Sequence, residues 1–330
     1  MRYVTMKMSF IAEDDIFFPL NPVNTFRGAM GYSLKRISCN QRRNEDKYPC
    51  LTCRNNVSCA YAMCNETIKH SNIKGIDFLK NSSEIPHLMN ITTSLSGNSE
   101  VKAGEKFDFT VRLYGAAVIH SPRLMVSAKA AAMRGFKKEK SRAMLESVFD
   151  ACSEKIIWNF MNDSVKMPEI AYLHIPEPDF TNDEECEIML NFISPVAFKD
   201  LKSDSITKEP EFYRIVGSLM RRYSVFEAID GNKLDWHFKE ISEMAKKVKI
   251  SRMNIEPVNW ERFSTRQQQR IPISGIVGSV SYIGPTAMFE ELLNAGEILH
   301  CGKYATFGHG RIKVAQIRHL SNRDESKAFV

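Results

Sequence analysis

The sequence predicts an α+β protein built of two similar halves, and three observations support this. First, a chain of 330 residues is longer than one ordinary core, so two domains of roughly 150 residues are expected. Second, apolar residues alternate in some segments and recur at helical spacing in others. Third, these patterns follow the order strand–helix–strand, strand–helix–strand in each half. That order is typical of the split βαβ unit, so we expect tandem ferredoxin-like (RRM-like) domains.

The first half begins with an alternating strand over residues 1–10. Asn24 or Thr25 is then placed to cap a helix over residues 26–37, whose apolar side chains recur on one face. The remaining elements are expected in this order: strands over 87–93 and 106–115 with a turn at 103–105 between them, a helix over 123–134 ended by Gly135, and a strand over 141–149, although 143–146 would also tolerate a helix.

A proline-containing acidic connection over residues 160–185 is the expected domain boundary. We therefore divide the chain into an N-terminal domain, residues 1–178, and a C-terminal domain, residues 179–330. The second half is expected to contain strands over 187–193, 248–255, 273–282 and 311–317 and helices over 212–226 and 286–295.

Charge and hydropathy narrow the class of protein. No apolar run approaches the roughly 20 residues of a membrane span, and the N-terminus alternates as a strand rather than forming a signal peptide, so a cytoplasmic location is expected.

The net charge is +6, and residues 246–270 contain seven basic residues against two acidic ones. Such a stretch can neutralise several phosphates of a nucleic acid. Alternatively, these basic residues form a solvent-exposed helix face and strand edge.

Cysteines are concentrated in the first half. Five of the eight lie within 26 residues, in an insertion over residues 39–70. In a reducing compartment disulfides are disfavoured, and four thiolates with one Cys-x-x-Cys pair suit a tetrahedral structural zinc site. An iron–sulfur cluster would use the same ligands, and reduced buried cysteines without metal are the third alternative. The expected ligands are Cys39, Cys50, Cys53 and Cys59.

Residues 296–311 begin with a glycine and contain further glycines at two places, Gly302 and Gly308–Gly310, with basic side chains beside them. Glycine lets backbone amides approach a phosphate closely, while Lys303, His309 and Arg311 would neutralise it. The spacing matches neither a Walker loop nor a dinucleotide fingerprint, because a strand follows where a helix should begin. A tight connection into the last strand is the alternative.

The same stretch, Gly-Glu-x-Leu-His-x-Gly-Lys-x-x-x-Phe-Gly-x-Gly-Arg, resembles the C-terminal signature of the CRISPR precursor-RNA-processing endoribonucleases of the RAMP superfamily. Because the order of several similar segments is specific, the chain is identified as a member of this family, in a subgroup with a cysteine-rich insertion. The other segments similar to the family pattern are, in order, residues 26–31, 103–115, 132–135, 260–267 and 273–278.

The resemblance implies an enzyme that binds CRISPR repeat RNA and cuts precursor crRNA within the repeats. In this family a 2′-hydroxyl attacks the neighbouring phosphate without a catalytic metal, which leaves a 2′,3′-cyclic phosphate and a 5′-hydroxyl. The reaction needs a base, groups that stabilise the phosphorane charge, and a clamp on the RNA. Other CRISPR effector proteins are further partners that the family allows, and no membrane is expected. The residues expected to bind RNA are Arg27, Arg262, Arg266, Arg270, Gly302, Gly308, His309, Gly310 and Arg311.

Family members commonly carry a histidine just after the first helix, close to a tyrosine and a lysine. Tyr32 and Lys35 match this pattern, but no histidine lies between Arg36 and Lys69. We therefore expect a catalytic set of His300, Lys303, Tyr32 and Lys35, with His309 and then His70 as the next candidate bases.

Alternatively, each histidine has only a structural or surface role. A further alternative is that the protein cleaves RNA more slowly, with lysines and the geometry of the site alone. The missing histidine also favours a rival function. This rival is a catalytically silent RAMP subunit that binds guide RNA in an effector complex.

Overall fold

The computed structural model describes residues 1–39, 50–66, 85–137, 139–162, 164–199, 206–207, 209–264 and 269–320. Two expected site residues, His70 and Arg266, lie outside these ranges, as does part of the 39–70 insertion. The chain forms two compact units. The first comprises Met1–Leu173, Ser224–Leu234 and Thr306–Gly308, and the second comprises the remainder. We retain the division into residues 1–178 and 179–330 as a proposal.

The first unit is built from eight strands and three helices within the described residues. Its elements are β1 (Arg2–Ala12), β2 (Ile16–Phe17), α1 (Pro22–Ser38), α2 (Ala60–Asn65), β3 (Met89–Thr93), β4 (Glu100–Val101), β5 (Lys106–Tyr114), α3 (Ser121–Arg134), β6 (Ala143–Asp150), β7 (Lys155–Asn159) and β8 (Ala171–Tyr172). The main sheet has the order β3-β5-β1-β6-β7, with antiparallel pairing and β8 on the start of β1.

Aromatic packing forms the core of the first unit. The alternating side of β1 buries Phe10, and the apolar stripe of α1 buries Phe26. The Phe26 ring stacks on Phe109 of β5 with 4.2 Å between centroids. This packing fixes α1 against the sheet and leaves its polar face outward.

The second unit contains the other six strands and the other four helices of the described residues. They are β9 (Cys186–Val196), α4 (Phe212–Ile229), α5 (Phe238–Lys247), β10 (Lys249–Val258), β11 (Glu261–Ser264), β12 (Gln269–Pro272), β13 (Gly275–Gly284), α6 (Glu290–Asn294), α7 (Gly296–Leu299) and β14 (Ile312–His319). The last turns of α4, from Ser224, are counted with the first unit.

Both main sheets have ferredoxin-like topology. In the second unit the antiparallel order is β10-β13-β9-β14, and the first unit repeats it as β3-β5-β1-β6. In each case the two central strands are the first and third of a βαββαβ series, as the sequence order predicted. The expectation of an α+β protein with tandem ferredoxin-like domains is confirmed.

Several element boundaries differ from those expected. Helix α1 starts at Pro22 rather than at residue 26, because the Asn21 side chain accepts a hydrogen bond from the Asn24 amide and acts as the N-cap. The single helix expected over 286–295 is instead a short 3₁₀ turn followed by α6 and α7. Strand β7, helix α5 and the β11–β12 hairpin were not expected. Among the described helices, none combines the length and the apolar character that a membrane crossing requires.

Candidate functional site

Helix α1 presents a polar face made of the side chains that the sequence singled out. The helix runs for 17 residues with Pro22 in its first turn, and Phe26, Met30 and Leu34 are buried beneath it. Because side chains three and four residues apart share a face, Tyr32, Lys35 and Arg36 emerge together near its C-terminal end.

Tyr32 lies between two arginines. Tyr32 as a whole is 50% exposed. The Arg134 guanidinium at the end of α3 lies 4.1 Å from the ring centroid, and Arg36 Nη1 donates a 3.4 Å hydrogen bond to the phenol oxygen. Arg134 also donates to the Ala29 carbonyl, 3.4 Å away, which holds it against α1. The hydrogen bond and charge of Arg36, with the charge of Arg134, lower the pKa of Tyr32.

Lys35 faces the cysteine-bearing segment. Its ammonium lies 5.3 Å from the centroid of the Tyr61 ring on α2. The Tyr61 hydroxyl donates to Glu66, 3.0 Å away, and burial followed by Glu66 raises the pKa of Tyr61. Lys35 and Tyr32 are therefore on the same helix but have different surroundings.

Arg27 makes several contacts inside the first unit. Its Nε donates to the Thr306 hydroxyl at 3.1 Å, and its Nη2 donates to the Asn65 carbonyl at 3.0 Å. The guanidinium also lies 4.4 Å from the centroid of the Phe307 ring. These contacts support a structural role, because each would have to be exchanged for an RNA phosphate. The RNA-binding role expected for Arg27 stays a prediction.

The two histidines of the glycine-rich segment are fully buried in the second unit. His300 Nδ1 donates to the His309 carbonyl at 2.8 Å, and His309 Nε2 donates to the Ile273 carbonyl at 2.7 Å. The His309 ring also packs edge-on against Trp260 and Tyr304. These surroundings support the structural alternative for both histidines, whereas the neighbouring Lys303 is exposed. A catalytic role for His300 stays a prediction.

The glycines of the same segment meet the protein's own backbone. A Cβ atom on Gly310 would lie 1.9 Å from the Cys301 carbonyl oxygen, and one on Gly302 would lie 2.5 Å from that of Ala197. Both glycines have positive φ angles, which side-chain-bearing residues rarely adopt. Their amides are also bonded internally: Gly302 donates to the Ser218 hydroxyl and Gly310 to the Pro195 carbonyl. These contacts support the tight-connection alternative over a phosphate cradle.

The remaining expected RNA-binding residues are spread over several elements. Arg262 on β11 is half-buried, and burial lowers its pKa, whereas Arg270 on β12 is exposed and lies 3.3 Å from Glu261. Gly308 lies with the first unit, where its Cβ position is 3.2 Å from the Ile91 carbonyl oxygen. The Arg311 amide donates to Ser194 at 3.0 Å. RNA contacts by these four residues stay predictions.

All eight cysteines are free thiols. The pKa of Cys50 is raised to about 11, chiefly by burial and then by Glu66, with Cys39 and Cys59 contributing. Three of the four expected metal ligands are therefore near enough to interact. Within the described part of the chain, however, no three of the clustered cysteines bring their sulfurs within 4.8 Å of one another. The donor set fits a thiolate site chemically, and its assignment as a metal site stays a prediction.

Sequence reasoning identified Tyr32 but not Arg134 as its partner. Arg134 was visible as part of the motif over residues 132–135, yet helix periodicity on α1 cannot show which side chain arrives from α3. The signal available in the sequence was a basic residue in the last turn of a helix, just before Gly135.

Solved structures share this fold. A product complex of Thermus thermophilus Cas6 (TTHB231) matches with a TM-score of 0.53 and 10% identity, over 94% of this chain and 98% of that one. A partial Cas6-RT-Cas1–Cas2 complex matches with a TM-score of 0.51 and 12% identity, over 97% of this chain and 46% of that one. At these identities the comparisons establish the fold alone, and they place the chain in the class of tandem ferredoxin-like proteins.

Family models refine this assignment. A model described as an N-terminal domain matches residues 1–170, and the model of the CRISPR-associated endoribonuclease Cas6 matches residues 190–312. A comparison with curated proteins finds no match. Residues 190–312 thus match the CRISPR-associated endoribonuclease Cas6 family, which confirms the family resemblance. The chain's place in a cysteine-rich subgroup stays a prediction.

Proposed function

We propose that this chain cleaves CRISPR repeat RNA through a site centred on Tyr32, without a catalytic metal. The observation that carries the proposal is the exposed Tyr32 phenol held between Arg36 and Arg134. An exposed phenol with a lowered pKa is a better proton donor, and two guanidiniums beside it suit a phosphate in both charge and hydrogen bonding.

The reaction assigns a role to each group. The 2′-hydroxyl gives its proton to solvent as its oxygen bonds to the neighbouring phosphorus. The bond from phosphorus to the 5′-oxygen breaks, and Tyr32 gives its proton to that oxygen and regains one from solvent. Arg36 and Arg134 stabilise the charge of the phosphorane. The products are a 2′,3′-cyclic phosphate and a 5′-hydroxyl. Lys35 holds the adjacent backbone, while His300 and Lys303, expected in the catalytic set, act outside the proton-transfer step.

Cleavage of repeat RNA in EDTA tests this function. The substrates are the repeat RNA from the source genome's CRISPR array and a copy with a 2′-deoxynucleotide at the cut site. We expect a single cut ending in a cyclic phosphate with the first substrate, and binding without cleavage with the second. Cleavage of the deoxy substrate, or cleavage that EDTA abolishes, would contradict the mechanism.

A catalytically silent RNA-binding subunit is the second candidate function. The burial of both His300 and His309 favours it, because neither side chain is exposed to solvent. Binding of the unmodified repeat RNA with no cut under any tested condition would support this candidate over the first.

We also propose a structural zinc ion on Cys39, Cys50, Cys53 and Cys59. The proximity of Cys39 and Cys59 to Cys50, close enough to act on its thiol, supports it. Metal analysis of the purified protein tests the assignment, and visible absorption distinguishes an iron–sulfur cluster from colourless zinc. We expect Cys53→Ser to lower the bound metal by one equivalent. Unchanged metal content in that variant would contradict the assignment.

A further inference from the structure

A second group of metal-ligand side chains lies at one end of the second unit's sheet. Cys186 is the first residue of the central strand β9, and its cross-strand partner on β14 is His319. Glu184 precedes β9, and the Leu320 amide donates to the Glu185 carbonyl at 3.0 Å, which continues the pairing beyond the strand. The sheet register therefore fixes the backbone positions of all three side chains.

The distances within this group match those between ligands of a tetrahedral metal ion. Cys186 Sγ lies 3.4 Å from His319 Nδ1, and His319 Nδ1 lies 3.0 Å from Glu184 Oε1. All three atoms are within 4.8 Å of one another. Tetrahedral zinc with ordinary bond lengths separates sulfur from nitrogen by about 3.5 Å and nitrogen from oxygen by about 3.3 Å. A small ion can thus enter with little movement of the side chains.

A catalytic relay does not explain the arrangement. A cysteine–histidine–carboxylate relay uses the two ring nitrogens separately, one facing the thiol and the other facing the carboxylate. Here both partners approach the same atom, His319 Nδ1. Convergence on one ring atom is what a shared cation between three ligands requires.

Local charge favours a cation. The negative charges of Glu184 and Glu290 both act at the Cys186 sulfur. Glu290 lies in the first turn of α6, outside the group whose three ligand atoms are within 4.8 Å of one another. Cys186 is buried, whereas Glu184 and His319 are exposed enough for an ion to reach them.

We propose that Glu184, Cys186 and His319 bind one transition-metal ion of the zinc class, with water in the fourth position. The ion links the last strand of the described chain, β14, to the central strand β9. The site has one sulfur, one nitrogen and one oxygen ligand, a donor set that suits zinc and cobalt(II). It is separate from the cysteine-rich segment and does not depend on the proposed cleavage.

Cobalt(II) titration of the full-length, metal-stripped, reduced protein tests the site. Thiolate-to-cobalt absorption and bound metal per chain are measured for the wild type, Cys186→Ser and His319→Gln. We expect each variant to bind one equivalent less than the wild type and to lose the absorption of a single-thiolate site. Cys152→Ser removes an exposed cysteine elsewhere and is the matched control, which should bind as the wild type does.

Two further variants keep the test decisive. Cys53→Ser should leave the one-equivalent difference between wild type and Cys186→Ser intact, because the two sites are independent. If Cys186→Ser does not fold, His319→Gln and Glu184→Gln change exposed side chains and carry the comparison. Full metal binding in His319→Gln, or an equal loss in Cys152→Ser, would overturn the proposal.

Discussion

At the scale of single residues, Tyr32 is the side chain on which the proposed cleavage depends. Tyr32→Phe removes the proton that we assign to the leaving 5′-oxygen, so we expect the single-turnover cleavage rate to fall by about 100-fold or more. RNA affinity should change little, because the ring and its arginine neighbours remain. Tyr172→Phe is the control: this tyrosine is 76% exposed on β8, and its loss should leave the rate unchanged.

Arg36 should determine how the cleavage rate at this site depends on pH. A proton donor works only while protonated, so the rate should fall as pH rises through the pKa of Tyr32. Since Arg36 is the main cause that lowers this pKa, Arg36→Gln should move the fall to higher pH. The pH profile of single-turnover cleavage checks the shift. A fall at the same pH in both proteins would remove Tyr32 from the proton-transfer step.

Gly310 should be among the least replaceable residues of the chain. Gly310→Ala places a methyl group on the Cys301 carbonyl and forces alanine to a φ of 81°, so we expect a loss of more than about 2 kcal/mol in the free energy of unfolding. Gly28→Ala is the matched control on α1, where a Cβ meets nothing within 4 Å. It should stabilise the protein by roughly 0.5–1 kcal/mol. Denaturant unfolding of both variants measures the contrast.

At the scale of elements, the N-terminus of α1 depends on Asn21. Its side-chain oxygen caps the helix, and its Nδ2 donates to the Phe307 carbonyl at 3.1 Å. Asn21→Ala should therefore cost about 1–2 kcal/mol of unfolding free energy, measured by denaturant titration. Asn24→Ala keeps the backbone amide that the cap uses and should cost much less. Equal losses in the two variants would contradict the role of the cap.

Periodicity predicted the elements with strong local patterns and missed those set by distant contacts. Strand β1 and helices α1 and α3 appear where expected because each buries one regular face. The helix expected over 286–295 is, in contrast, a 3₁₀ turn and the short helix α6. The next helix, α7, begins at Gly296, where a Cβ would lie 2.4 Å from the Ile312 side chain of β14. No local pattern in residues 286–299 shows that the last strand passes so close.

In the candidate site, too, the sequence predicted local features and missed tertiary contacts. The spacing of Tyr32 and Lys35 on one helix was readable from the sequence, but the approach of Arg134 to that tyrosine is a tertiary contact. The histidines illustrate the reverse error. His300 and His309 stand in a polar, glycine-rich run that suggests exposure, yet both are buried with backbone carbonyl partners.

At the scale of the whole molecule, a net charge of +6 should make RNA binding depend on salt. The dissociation constant for repeat RNA, measured at several salt concentrations, should rise steeply with salt. Arg270→Gln should reduce the slope of log Kd against log salt by about 0.7, the value for one phosphate contact on a single strand. Lys102→Gln is the control, because Asp15 and Glu100 already neutralise that exposed lysine. Equal slopes in both variants would remove Arg270 from the RNA contact.

The make-up of the first unit has a consequence for biosynthesis. Its Arg2 pairs with Asp230, Tyr114 stacks on Phe226 at 4.5 Å, and Arg27 bonds to Thr306, so a unit that starts at the N-terminus is finished by residues translated much later. The ribosome must pass Gly308 before every part of that unit exists. The N-terminal sheet of the nascent chain is therefore incompletely packed while most of the chain is translated. Early termination would yield fragments for quality-control proteases rather than a free-standing domain.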